Sequence, residues 1–151
     1  MSIKKKFLII TNKTEKNFND LYFGKFGETF YKKDSVKLWR DFYKKGSNNQ
    51  INKNNVLIDR KVNYLIDLQS IVWSIFFLFS KKYLKFFSDL SLINIFSHFR
   101  LVLKIMKYIK IYKPEFILFT IEGHLWENLL IEFCKKNIKK TIMIGYQFTK
   151  I

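Results

Sequence analysis

Residues 113–147 read KPEFILFTIEGHLWENLLIEFCKKNIKKTIMIGYQ, and this stretch decides the fold. A short apolar run, Phe116–Thr120, gives way to the polar turn Glu122, Gly123, His124. An amphipathic segment follows, then a second apolar run at residues 141–145. That order predicts a strand, a helix and a strand. Two strands joined by a helical crossover run parallel, with a right-handed connection and the helix on one face. The turn after the first strand and the residues after the second, Tyr146, Gln147, Phe148 and Thr149, then share one edge of the sheet. In open α/β sheets that edge is where ligands bind.

The chain upstream supplies the rest of such a sheet. In residues 4–11 the apolar side chains, Phe7 to Ile10, come in succession and not in alternation, which predicts a strand buried on both faces. Residues 12–20 are polar and loop-like, so Thr11, Asn12 and Thr14 fall at the carboxyl end of that strand, on the same edge as Glu122. Residues 21–31, LYFGKFGETFY, read as a strand or hairpin packed on the core, or as aromatics that stack on a sugar or base. GKFG lacks the spacing and the Lys-Ser/Thr ending of a phosphate loop. In residues 34–45, Val36, Leu38, Trp39, Phe42 and Tyr43 predict a helix with an apolar face, capped by Asp34 or Ser35 and stopped by Gly46. Residues 47–55 are the most polar stretch and read as an exposed loop, and residues 56–59 as a short strand.

Residues 62–79 predict a helix whose core, IVWSIFFLF at 71–79, is the greasiest segment of the chain. Asp67 and Gln69 lie before it and Lys81 and Lys82 after it, leaving about a dozen apolar residues where a bilayer span needs about 20. A buried helix is the favoured reading. The other is a helix dipping into a membrane interface, with Trp73 and the following lysines as anchors. Residues 82–110 predict a second long helix. Leu92, Ile95, Phe96, Phe99, Leu103, Met106 and Ile109 lie on its apolar side, and Arg100, Lys104, Lys107 and Lys110 on its polar side. A break near residues 88–91 would let Ser88 or Ser91 cap a new start. His98 has no second ligand type nearby and reads as structural or exposed. Pro114 ends the helix. Taken together, residues 1–151 predict a single α/β domain with a Rossmann-like parallel sheet flanked by helices.

Composition limits the partners. The formal charge is +16, yet only Arg40, Arg60 and Arg100 are arginines, and Lys, Asn, Ile, Phe and Tyr are inflated together while Ala is absent. That is the amino-acid shadow of an AT-rich genome. Base and phosphate recognition leans on the guanidinium fork, so nucleic acid is disfavoured as a partner. A basic surface still suits an anionic inner leaflet or anionic substrates. Cys134 is the sole cysteine, which excludes a disulfide framework and fits a reducing cytoplasm. The start, MSIKKKFLIITNK, has a four-residue apolar run and no small-residue cleavage site, and reads as a first strand and not as a signal peptide.

Two motifs at the carboxyl edge go further. Glu122, Gly123, His124, Trp126 and Glu127, followed by Gly145, Tyr146, Gln147 and Thr149, resemble the signature of bacterial surface-carbohydrate biosynthesis proteins. These are glycosyltransferase-like proteins of the two-Rossmann-domain (GT-B) type, linked to O-antigen or capsule assembly. The match is confined to residues 122–149, and Phe148 stands where that family usually has His.

The resemblance implies an amino-terminal, acceptor-side half, with the donor-binding domain absent from the chain or supplied by a separate subunit. It also implies a nucleotide-sugar donor, a glycan or lipid-linked acceptor, and a cytoplasmic location peripheral to the inner membrane. Glu122 is the first choice as general base for an acceptor hydroxyl, and His124 the second. Gly123 would bring backbone N–H groups toward the crevice at a helix amino end, which favours anions. Gln147, Thr149 and Asn12 are candidates to bind substrate. Trp126 and Glu127, with Gly145 and Tyr146, are candidates to hold the motif in shape, Glu127 by bonding orphan N–H groups. No DxD-like acidic cluster is present, so neither a metal nor another cofactor is implied. The rival reading is a non-catalytic basic module that binds an anionic membrane or a partner subunit through the Trp73 region.

Overall fold

The computed structural model describes residues 4–13, 23, 34–41, 55–58, 63–80, 92–138 and 140–147. Among these residues five strands form one all-parallel sheet: β1 (Phe7–Lys13), β2 (Ser35–Asp41), β3 (Asn55–Leu57), β4 (Phe116–Thr120) and β5 (Ile142–Tyr146). Their spatial order is β3-β2-β1-β4-β5. Among the described residues three helices flank the sheet: α1 (Tyr64–Phe79), α2 (Leu92–Tyr112) and α3 (Leu125–Asn137). This is a Rossmann-like α/β fold.

β1 is central, and every residue from Phe7 to Thr11 is buried. Its alternate side chains serve two cores. Leu8 and Ile10 join Val36 and Leu38 of β2 and Ile117 and Phe119 of β4 on the face covered by α2 and α3. Phe7, Ile9 and Leu118 form a smaller cluster on the other face, where the Phe7 and Phe116 rings stack at 5.1 Å. A strand buried on both sides must be apolar in succession, which is why residues 7–10 show no alternation.

β2 corrects the helix expected at residues 34–45. Ser35 to Trp39 is buried throughout, and the strand pairs with β1 from Phe7↔Ser35 to Lys13↔Asp41. The spacing of Trp39 from Phe42 and Tyr43 resembles a helix face, but Val36 and Leu38 already alternate with Lys37 and Trp39. The sheet uses that shorter period. Trp39 faces away from the α2 side, and its indole N–H donates to Asn55 Oδ1 at 3.0 Å, tying β2 to β3. Phe42 and Tyr43 lie outside the described residues, as do nearly all of the segment 21–31 and the loop at 47–54.

The helices have clear local causes. Asn63 caps α1, its Oδ1 accepting from the Ile66 N–H. α2 begins directly after Ser91 and buries Phe99, Val102, Ile105 and Ile109 against the sheet. It ends where Lys113 takes φ 45° and donates its N–H to the Ile109 carbonyl, after which Pro114 cannot continue the helix. α1 packs on α2, and an ion pair from Arg100 Nε to Asp67 Oδ1 at 2.6 Å joins the two.

The burial of α1 departs from the favoured expectation of a buried helix. It buries Ile66, Ser70, Ser74 and Phe77 and turns most of its large apolar side chains outward. No described helix is long and apolar enough to cross a membrane.

Candidate functional site

The strand order reverses at β1. The chain moves from β1 to β2 and β3 on one side, then crosses to β4 and β5 on the other. The crevice of such a sheet opens at the carboxyl ends of the strands flanking that reversal. Here those ends are Asn12 and Lys13 of β1 and the turn Ile121, Glu122, Gly123, His124 after β4. Arg40 pairs with Asn12 across β1 and β2, and Tyr146 pairs with Thr120 across β4 and β5. The Ile121 N–H donates to the Tyr146 carbonyl at 2.9 Å, so Gln147 leaves β5 beside the turn, and it is exposed. Glu122, Gly123, His124, Gln147 and Asn12 therefore share one edge. Phe148 and Thr149 lie outside the described residues.

The turn is built around Glu127. Its carboxylate is buried in the first turn of α3 and accepts from three successive backbone N–H groups: Glu122 at 3.1 Å, Gly123 at 3.0 Å and His124 at 3.1 Å. The Glu127 N–H in turn donates to the His124 carbonyl at 3.1 Å. Three orphan donors near a helix start are thus satisfied by an internal anion, in the orientation that the helix dipole favours. The Gly123 N–H, aimed at the crevice in the sequence reading, is taken by Glu127. Gly123 itself sits at φ +85°, with nothing within 4 Å of where a Cβ would be, so conformation and not space demands glycine there. Gly145 is the opposite case: a Cβ would stand 2.7 Å from Ile121 Cγ1, so the missing side chain lets Ile121 lie across β5.

With its amides occupied, the turn presents side chains. His124 Nε2 lies 3.2 Å from Glu122 Oε2, and both residues are exposed. Behind them Trp126 is buried, edge-on to Phe119 at 6.2 Å, with the Arg40 guanidinium 4.9 Å from its ring centroid. Among the described residues the Trp126 indole N–H has no acceptor. Half-buried His98, on α2, completes the group. Its pKa is lowered by burial first, then by the charges of Arg40 and His124. Three cationic or protonatable groups therefore approach one another from β2, α2 and the start of α3.

Arg40 and His98 are the members of this group that sequence reasoning missed. Arg40 was lost when β2 was read as a helix, because a strand would have carried it to the carboxyl edge. His98 gave no signal beyond its place next to the apolar face of α2, where it read as structural or exposed. Among the described residues no three His, Cys, Asp or Glu side chains gather as a cation would require. The geometry offers instead an exposed carboxylate–imidazole pair for proton transfer, beside positive charge suited to an anionic group. Neither a family model nor a curated protein sequence matches the chain.

Proposed function

We propose that the chain is the acceptor-side domain of a glycosyltransferase-like protein of surface-polysaccharide biosynthesis, acting with a donor-binding domain. The observation that carries this reading is the contact between Glu122 and His124 at the switch-point edge. Its support is the Glu-Gly-His-x-Trp-Glu motif, whose last carboxylate holds the turn while its first two polar side chains reach solvent as a pair.

The chemistry follows from the pair. If His124 donates its Nε2–H to Glu122, Nδ1 is left with a lone pair for the acceptor hydroxyl proton. If His124 keeps its Nε2–H on one Glu122 oxygen as the orienting group, the other oxygen of the carboxylate takes that proton directly. In either form the acceptor oxygen bonds to the anomeric carbon, and the nucleotide leaves with the electron pair of the bond that breaks. Arg40 supplies positive charge behind the pair, toward phosphate on the substrate, while burial keeps His98 neutral beside it.

The test is chromosomal substitution of Glu122→Gln in the cells that make the protein, with surface polysaccharide resolved on a gel. Loss of the polysaccharide with protein level and melting temperature unchanged supports the reading. Undiminished polysaccharide removes Glu122 from the chemistry.

A further inference from the structure

α1 is amphipathic in the reverse of the usual sense. The side toward α2 carries Ser70 and Ser74, both fully buried, whose hydroxyls donate back to the Ile66 and Ser70 carbonyls at 2.6 Å. Small side chains with internally satisfied hydroxyls let the two helices approach closely. The outward side carries Leu65, Leu68, Val72, Ile75, Phe76 and Phe79, at spacings of three and four residues, with Phe76 at 68% and Phe79 at 81% exposure. A water-facing helix would place the serines outside and this stripe inside. An apolar stripe of this length on a surface marks a docking face.

Length and charge select what covers it. Sixteen residues make a helix about 24 Å long, short of the roughly 30 Å of a bilayer's hydrocarbon core, so α1 can lie in a membrane but not span it. The acidic residue of α1, Asp67, is paired inward with Arg100, so the outward face carries no carboxylate. In sequence Lys81, Lys82 and Lys85 follow α1, and the formal charge of the chain is +16. Two copies meeting through this face would bring like charges within a screening length. An anionic lipid surface meets the same charge with the opposite sign.

We propose that α1 docks the protein on an anionic membrane surface, lying in the plane of the interface with its Leu68, Phe76 and Phe79 side among the acyl chains. Trp73 sits on the flank of the stripe, half exposed, its ring 5.6 Å from Phe133 and beside a groove of about 460 Å³ that Lys136 also lines. An indole at this level and a lysine beside it belong at the headgroup layer. The inference is independent of any transfer activity, since neither Glu122 nor His124 takes part in it.

The test is co-sedimentation of the whole protein with vesicles of phosphatidylcholine alone and of equal parts phosphatidylcholine and phosphatidylglycerol. Trp39 and Trp126 are buried, so a blue shift of emission on mixing reports Trp73. The expected result is binding to the mixed vesicles that weakens steeply with salt, a blue shift lost in Trp73→Phe, and a fall of roughly tenfold or more in partitioning for Leu68→Gln/Phe76→Gln/Phe79→Gln. Those three residues are exposed, and an unchanged circular-dichroism melt checks that the variant folds. Equal partitioning onto both vesicle types overturns the proposal, as does undiminished binding of the triple variant. So does a concentration-dependent dimer, without vesicle binding, that the triple variant abolishes; that outcome assigns the face to a second copy.

Discussion

The Glu127 carboxylate sits 3.0 Å from the Gly123 nitrogen and fills, from within the chain, the anion site that the start of α3 would otherwise offer. This divides the motif into a half that holds the turn and a half that the turn exposes. Glu127 and Gly123 shape the turn; Glu122 and His124 are what it displays.

Glu127→Ala should therefore damage the fold more than the other motif substitutions. It leaves three backbone donors without their partner, and hydrogen bonds to a charged acceptor are the costly ones to lose. A loss of about 3 kcal/mol is expected, read from urea unfolding, with Glu127→Gln recovering part of it. Glu122→Gln should unfold at nearly the wild-type midpoint.

Lys113 holds φ 45° at the end of α2, a left-handed conformation that costs an L-residue more than glycine. Its side chain is exposed. Lys113→Gly should raise stability by about 0.5–1 kcal/mol, the strain relieved exceeding the extra freedom of glycine in the unfolded chain. A lower unfolding midpoint for the variant would contradict this.

Burial sets the pH limits. His98 is held neutral below its ordinary pKa by desolvation, then by Arg40 and His124. The unfolded chain then binds the proton more readily, so this part of the stability is complete above the ordinary value of 6.5 and is lost as pH falls from there through the folded pKa. Proton NMR of the two histidines should show His98 titrating below 6.5, and Arg40→Leu should bring it upward.

Cys134 behaves oppositely, because burial raises its thiol pKa to about 11. Its contribution is complete below its ordinary value of 9.0 and is lost as pH rises from there through about 11. The native thiol should resist alkylation at pH 8 and react when the protein is unfolded in urea. Rapid labelling of the native protein would contradict its packing against Met106.

The final crossover was legible in the sequence because each of its parts has one local reading: an apolar run, a polar turn with glycine, a helical face, a second apolar run. β1 was legible for the same reason. β2 was not, since Val36, Leu38 and Trp39 fit a period of two as well as one of three to four, and only pairing with β1 separates them. That ambiguity also hid Arg40. The outward turn of α1 escaped because a helix apolar nearly all round declares no face. Ser70 and Ser74 were the available signal, and their meaning depends on α2 lying against them. At the edge itself, spacing brought Glu122 and His124 to one turn and gave Glu127 the orphan amides, but it could not reveal that the Gly123 N–H, expected to face the crevice, is one of those Glu127 takes.

The most direct measurement is sugar incorporation into surface polysaccharide in cells carrying Glu122→Gln, His124→Ala or Lys113→Gly at the native gene, with protein levels matched. The expected result is loss of at least about a hundredfold for each of the first two and wild-type incorporation for Lys113→Gly. Wild-type incorporation in both motif variants, with the protein folded and present, would contradict a catalytic role for the Glu122–His124 pair.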